Sequence, residues 1–344
     1  MTQEEKPKIR AILIGANNYI ASENLKYAVQ DASSVKDSLG KLYENIDMIL
    51  LTDEREPRYQ PIRTNILSNI KLISENVKDN ENILFYFAGH GEDIDGEPVV
   101  LPSDYRDEVG MDAAIKIEDI KTSFVNTRAK FKLLIFDSCH SGAAKGRAES
   151  GRMSNSMYKA FNEIPEGFAV ISACGLDQVS YEDETLHHGV FTHFLLEGIE
   201  GKADANNDKL VTINELYDYL VSNVKEWVFQ KFNASQIPNI RCNFGGAYVL
   251  SRLPHDSPRT EDTMGTEFFT GINLWQNTYE MQWLKFESEG IDSDIESALE
   301  KSVEQILLVL RKEYGIKGLQ DKGNTIEFQD GRILRISDSD EKIT

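Results

Sequence analysis

The chain has 344 residues, with 37 Lys+Arg against 57 Asp+Glu for a formal net charge of −20, and 40% of its residues are hydrophobic. That hydrophobic share excludes a globally disordered chain, and the length suits one large domain plus a smaller one. The negative charge excludes a phosphate-binding surface, so no nucleic-acid partner is expected, and it opposes anionic membranes as well.

Residues 10–15 (RAILIG) form an apolar run that suits a central strand covered on both faces. Ala28, Val35, Leu39 and Leu42 then recur at helical spacing. Residues 47–52 (DMILLT) predict a second strand and 62–77 a second amphipathic helix. A third strand, 82–88 (NILFYFA), ends at Gly89-His90-Gly91. A fourth, 131–136 (FKLLIF), ends at Asp137-Ser138-Cys139-His140-Ser141-Gly142, and 168–173 (FAVISA) is a fifth. This alternation predicts an α/β fold with a mainly parallel sheet. Both polar loops follow the carboxyl ends of strands, the edge where sites form in open α/β sheets.

Residues 143–166 break the rhythm and read as a long mobile loop. The α/β pattern finishes with 247–253 (AYVLSRL), which assigns 1–253 to the large domain. A polar, proline-containing linker follows at 254–265. Residues 266–344 read as a small C-terminal α+β domain, a candidate site for sensing a ligand or partner. There Ser293 and Glu296 make a capping box at the head of an apolar stripe from Ile295 to Leu310, and 325–336 predict a hairpin with a two-residue turn at Asp330-Gly331.

Three cysteines, Cys139, Cys174 and Cys242, are too sparse for a disulfide framework and fit a reducing compartment. The first six residues lack the apolar centre of a signal peptide, and no run approaches the roughly 18 apolar residues that span a bilayer. A cytoplasmic protein with no membrane partner is expected.

Thiol catalysis needs a thiolate, a group that manages its proton, and donors for the oxyanion. Cys139 follows a strand among small residues, and His90 stands between two glycines 49 positions earlier. Such a pair, on two strand ends, meets in space rather than in sequence. The backbone N–H groups of Gly91 and Cys139 are candidate oxyanion donors. Taken singly, a cysteine after a strand is usually a small buried hydrophobe and a histidine between glycines a turn residue. His140, adjacent to the nucleophile, reads as structural, Cys174 as core, and Cys242, His187, His193 and His255 carry no partner signal.

FAGHG and LLIFDSCHSG, in this order and spacing, resemble the caspase and metacaspase clan over about residues 8–253. Gly15-Ala16-Asn17-Asn18-Tyr19, Asp31-Ala32 and His188-Gly189-Val190-Phe191-Thr192 match as well. The DSCHSG form is closer to metacaspases and bacterial caspase-like proteins. The resemblance implies a caspase-like fold and a cysteine endopeptidase acting on protein or peptide substrates, with no cofactor required. It also implies Asp31 and Asp137 as pocket acids for a basic residue ahead of the cleaved bond, since paired carboxylates suit Arg or Lys. Without it, Asp31 reads as a helix N-cap or solvated face and Asp137 as a turn residue. Ala88 departs from the pattern, because metacaspases often carry Ser there.

A basic preference would make Lys145, Arg147, Arg152 and Lys159 candidate self-cleavage points in the predicted loop. Asp204, Asn206, Asp208, Thr212 and Glu215 fall at positions 1, 3, 5, 9 and 12 of a calcium loop, but Lys209 replaces the expected glycine, which favours a structural turn before a helix N-cap. By the same resemblance, a bacterial caspase-like chain with an added small domain implies a triggered effector in antiviral defence or cell death. The alternatives are a caspase-fold pseudoprotease or a calcium-responsive binding module.

Overall fold

The first apolar run becomes β1 (Lys8–Gly15), an interior strand of an eight-stranded sheet. A computed structural model describes residues 8–140, 152–244 and 248–253, except for the side chains of Cys139 and His140, together with three short strands between 318 and 335. The elements continue as α1 (Ala28–Leu42), β2 (Ile46–Thr52), α2 (Arg63–Asn76), β3 (Glu81–Ile94), β4 (Glu97–Val100), β5 (Ile115–Lys116), α3 (Ile117–Val125) and β6 (Phe131–His140). After these come α4 (Asn155–Asn162), β7 (Phe168–Ser172), β8 (Glu182–Asp183), β9 (His188–Gly189), α5 (Val190–Glu197), β10 (Leu210–Thr212), α6 (Ile213–Phe232), β11 (Asn239–Asn243) and β12 (Val249–Arg252).

The strand order is β11-β7-β6-β3-β1-β2, with β4 and β5 branching from β3. The five strands β7, β6, β3, β1 and β2 pair in parallel, and β11 closes one edge antiparallel to β7. Because side chains alternate along a strand, the sheet divides its residues between two cores. Ala11, Leu13, Leu84, Tyr86, Leu133 and Ile135 pack with residues of α1, α5 and α6. Ile12, Ile14, Phe85, Phe87, Leu134 and Phe136 pack with α2, α3 and α4 on the other face. This two-sided cover explains why the strands read as continuous apolar runs, and it is the α/β architecture expected from the sequence.

Three expectations are corrected. The third and fourth strands do not stop at Ala88 and Phe136, because Ala88 to Gly91 keep pairing in register with Asp137 to His140. The residues expected in strand-end loops are therefore strand residues. Beyond them β3 turns back through Asp95-Gly96, both at positive φ, to pair with β4, an Asp-Gly hairpin signal that the apolar pattern obscured. Second, the loop expected over 143–166 contains α4: Ser154 accepts a hydrogen bond from Met157 N as N-cap, and Met157 and Phe161 are buried one turn apart. Residues 141–151 lie outside the described residues. Third, β12 does not join the large sheet; it pairs with β10 in a two-stranded sheet of its own.

The described residues fall into two units, with the strands near the C-terminus in the second. There β14 (Thr325–Glu327) pairs antiparallel with β13 (Gly318–Leu319) and β15 (Ile333–Arg335). Ile326 stands opposite Leu334, a register that sets apolar positions opposite one another, and the turn expected at Asp330-Gly331 lies outside the described residues. The linker 254–265 and the helix headed by Ser293 lie outside the described residues. Among the described residues no helix is long and apolar enough to cross a membrane.

Candidate active site

The parallel register of β3 and β6 pairs His90 with Cys139. Neighbouring strands lie about 5 Å apart, so two positions separated by 49 in sequence become adjacent. Position 90 keeps the parity of Leu84, Tyr86 and Ala88, and position 139 that of Leu133, Ile135 and Asp137, which places both on the α1/α5 face.

His90 is 4% exposed, and its ring is fixed from the β1–α1 connection. Nε2 lies 2.7 Å from the carbonyl oxygen of Glu23. A carbonyl only accepts, so Nε2 carries the proton, which leaves Nδ1 of the neutral ring as the acceptor. The His90 backbone N–H donates to the Tyr19 hydroxyl at 2.9 Å, and the two rings lie 4.5 Å apart at 47°. The other two cysteines have no comparable setting. Burial pushes the Cys174 thiol up to about 12 and the Cys242 thiol likewise to about 12, so both stay protonated at neutral pH. Gly91 follows His90 and registers with His140; a Cβ there would stand 3.1 Å from Met157 Cε and 3.2 Å from Ser138 Oγ.

Asp31 and Asp137 come together on the same face, behind this pair. Asp31 lies in the first turn of α1 and is 2% exposed, so it is neither an N-cap nor on a solvated face. Asp137 lies within β6, two positions before Cys139, and is 5% exposed rather than in a turn. The hairpin of β8 and β9 inserts Gly189 between them: a Cβ on Gly189 would stand 2.8 Å from Asp137 Oδ2 and 3.1 Å from Asp31 Oδ2. Gly189 N donates to Asp31 Oδ2 at 3.1 Å, and His188 Nδ1 lies 2.6 Å from Asp31 Oδ1. Asp137 accepts from Ser180 Oγ at 3.0 Å and from Thr192 Oγ1 at 2.6 Å, while the Thr192 and Tyr86 hydroxyls lie 2.6 Å apart.

Burial, and secondarily the charge of Asp137, raises the Asp31 carboxyl well above the usual range. Burial pushes Asp137 up to about 6, against the opposing Thr192 and Ser180 hydroxyls. Burial also lowers His188, so this imidazole is neutral at neutral pH and supplies a donor without a charge. Among the described residues neither carboxylate has a Lys or Arg within ion-pair distance. The hairpin is held to α1 by Glu182, whose carboxylate accepts from Lys26 N and Tyr27 N, and is braced by Asp183, which accepts from Thr185, Leu186 and Trp227. A Gly189→Ala substitution should therefore drive its methyl group into two buried carboxylates. We expect a loss of about 1–3 kcal/mol in denaturant unfolding, the usual cost of overpacking, together with weaker substrate binding.

The remaining candidates are dispersed. Arg152 is exposed just ahead of α4, whereas Lys159 lies on α4 and pairs with Glu163 one turn on, so its peptide bond is helical rather than extended. Lys145 and Arg147 lie outside the described residues. In the calcium look-alike, Asp204 and Asn206 accept from Asp208 N, Asp204 also from Lys209 N, and Asp208 from Leu210 N. Glu215 closes a capping box with Thr212 at the head of α6, the structural alternative foreseen from the sequence. No group of three His, Cys, Asp or Glu side chains among the described residues is placed to share a metal ion. His193 lies 3.6 Å from Glu197, one turn along α5, and His255 is outside the described residues.

The caspase domain pattern matches residues 8–247, the unit that carries the paired His90 and Cys139. The chain belongs to the caspase domain family. The chain is 33% identical over 151 residues to metacaspase-1 of Pyricularia oryzae, covering 40% of this chain and 37% of the fungal protein. Metacaspase-1 of Botryotinia fuckeliana is 31% identical over 149 residues, covering 40% and 35%, and metacaspase-1A of Aspergillus terreus 31% over 151 residues, covering 40% and 36%. The chain thus spans little more than a third of the length of these relatives. In the caspase domain, sequence reasoning had picked out His90, Cys139, Asp31 and Asp137. It had missed His188, Ser180 and Thr192 as partners of the acids, and the Glu23 carbonyl as the partner of His90. The signal available for His188 and Thr192 was their place in the matching segment 188–192; a backbone carbonyl leaves none.

Proposed function

We propose that this caspase domain is a cysteine endopeptidase that cleaves after Arg or Lys. The observation that supports it most is the register of His90 against Cys139. With Nε2–H held on the Glu23 carbonyl, Nδ1 of His90 takes the thiol proton of Cys139. The thiolate adds to the scissile carbonyl carbon, and the oxyanion is assigned to the N–H groups of Gly91 and Cys139, which the β3–β6 ladder has to release as substrate enters. His90 returns the proton to the departing amine, leaving a thioester on Cys139. Water then adds with His90 again taking a proton, and the thiol is restored as the carboxylate product leaves.

The basic preference is supported by two buried carboxylates that have no cationic partner among the described residues. A guanidinium supplies the missing charge and donors for both acids. Incubating wild type and Cys139→Ala with peptides ending in Arg, Lys, Asp or Leu tests the reading. Cleavage after Arg and Lys by wild type alone is expected. Cleavage after Asp would remove the acid-pocket reading and leave the reacting pair intact. No cleavage, even with a cell extract that could hold an activator, would favour a pseudoprotease.

Calcium is the candidate metal at residues 204–215. Because those oxygens are already spent on the loop's own backbone and on the α6 cap, hydrolysis is expected to proceed in the presence of a chelator. A requirement for added calcium would restore the regulatory reading. A triggered role in defence or cell death, with the C-terminal residues as sensor, rests on the family resemblance.

A further inference from the structure

The sheet fixes the Cα of His90 but leaves its side-chain torsions to be set by neighbours. Two of those neighbours, Tyr19 and Glu23, come from one segment, the connection between β1 and α1. Tyr19 touches His90 twice, with its ring 4.5 Å from the imidazole and its hydroxyl accepting the backbone N–H. Glu23, four residues on, presents the carbonyl to Nε2. The segment is itself tied down: Asn17 N and Asn18 N donate to Asp53 Oδ2 at 2.5 and 3.0 Å, Tyr19 N donates to Asn24 Oδ1 at 2.9 Å, and Leu25 N donates to Asn17 O at 2.8 Å. Gly89 makes room for this arrangement, since a Cβ there would stand 2.5 Å from the Tyr19 hydroxyl. The glycine ahead of His90 thus admits the phenol to the strand.

We propose that Tyr19 is a positioning residue that holds the His90 imidazole and the segment carrying the Glu23 carbonyl, and so sets which ring nitrogen exchanges the proton with Cys139. The assignment rests on reading His90 and Cys139 as the reacting pair. Tyr19 acts through His90. Its hydroxyl and its ring make separable contributions, one to the strand N–H and one to the imidazole face.

The test follows Tyr19→Phe, which keeps the ring, and Tyr19→Leu, which keeps neither group, with His90→Ala as reference. One readout is the pH dependence of Cys139 alkylation by iodoacetamide, followed by mass spectrometry on the Cys139 peptide. The other is kcat and KM on whichever peptide wild type cleaves. Tyr19→Phe is expected to lower kcat about tenfold with KM within about twofold, as a misplaced catalytic group does. It should also move the alkylation midpoint toward that of an ordinary thiol at about 8.5, and Tyr19→Leu should move both readouts further. If the Tyr19 variants fold and match wild type in both readouts while His90→Ala does not, the assignment is overturned. If His90→Ala itself changes neither, the reading of the pair falls and the assignment with it. Should Tyr19→Leu fail to fold, Tyr19→Phe alone decides.

Discussion

Replacing Cys139 by alanine should reduce peptide hydrolysis to the uncatalysed background, and His90→Ala should lower kcat by about a thousandfold or more. The two positions are register partners on β3 and β6, beyond the last pairs that these strands make with β1 and β7, so the parallel array does not depend on either side chain. Position 139 continues a strand, where alanine is accommodated. His90 is more demanding, since removing its ring leaves the Glu23 carbonyl and the Tyr19 ring facing a void; His90→Gln retains a donor for the carbonyl and separates proton transfer from packing. Groups that act as a unit are not additive, so the double variant should be no slower than Cys139→Ala. A single variant that keeps more than about a tenth of wild-type kcat would sink the assignment of that residue.

The second large effect belongs to the acid pair. Asp31→Asn and Asp137→Asn should each lower kcat/KM for an arginyl peptide by about a hundredfold or more, chiefly through KM, because a buried guanidinium then lacks one of its two counter-charges. A leucyl peptide should lose far less. The pH dependence has a definite sign. Asp137 titrates at about 6 in the folded chain, above its ordinary 3.8, so kcat/KM for a basic peptide should rise as pH increases through about 6. Asp137→Asn should flatten that limb. The same shift costs stability: the ionised carboxylate is disfavoured by burial, so the penalty is absent below about pH 4, grows between about 4 and 6 and is complete above, amounting to about 3 kcal/mol at most. Asp137→Asn should therefore unfold at higher denaturant than wild type at pH 7.5, with the advantage vanishing near pH 4. An unchanged or lower midpoint at pH 7.5 would contradict the burial argument.

Much of the large sheet was legible because its strands are covered on both faces and read as unbroken apolar runs, from Ile12 and Leu13 to Leu134 and Ile135. The helices α1 and α2 stood out through 3.6-residue spacing. The site was legible only where it coincides with those strands. His90 and Cys139 sit at the ends of apolar runs, so the pairing of β3 with β6 was inferable. The hairpin carrying His188 and Gly189 consists of two-residue strands with no periodicity to detect, and it is shaped by the buried carboxylate of Asp183. That Asp31 would be desolvated depends on packing against a segment 158 residues away, which no local pattern encodes. The α4 helix was hidden because it is only 8 residues long, with Met157 and Phe161 as its buried pair and a single serine cap as its start signal.

The position of β6 next to β7 has a consequence for what a cut in the intervening chain would do. Segment 141–151 lies between β6 and α4, in the connection between two strands that are paired neighbours from Lys132–Phe168 to Phe136–Ser172. On its far side Met153 N donates to Gln178 O and Asp177 N donates to Met153 O, which fastens the chain again before α4 begins. A nick between these two anchors therefore severs a covalent thread without opening a seam in the sheet. The molecule would become two polypeptides that travel as one through gel filtration and part only in denaturant, with Cys139 on the first piece and most of the wall around Gly189 on the second.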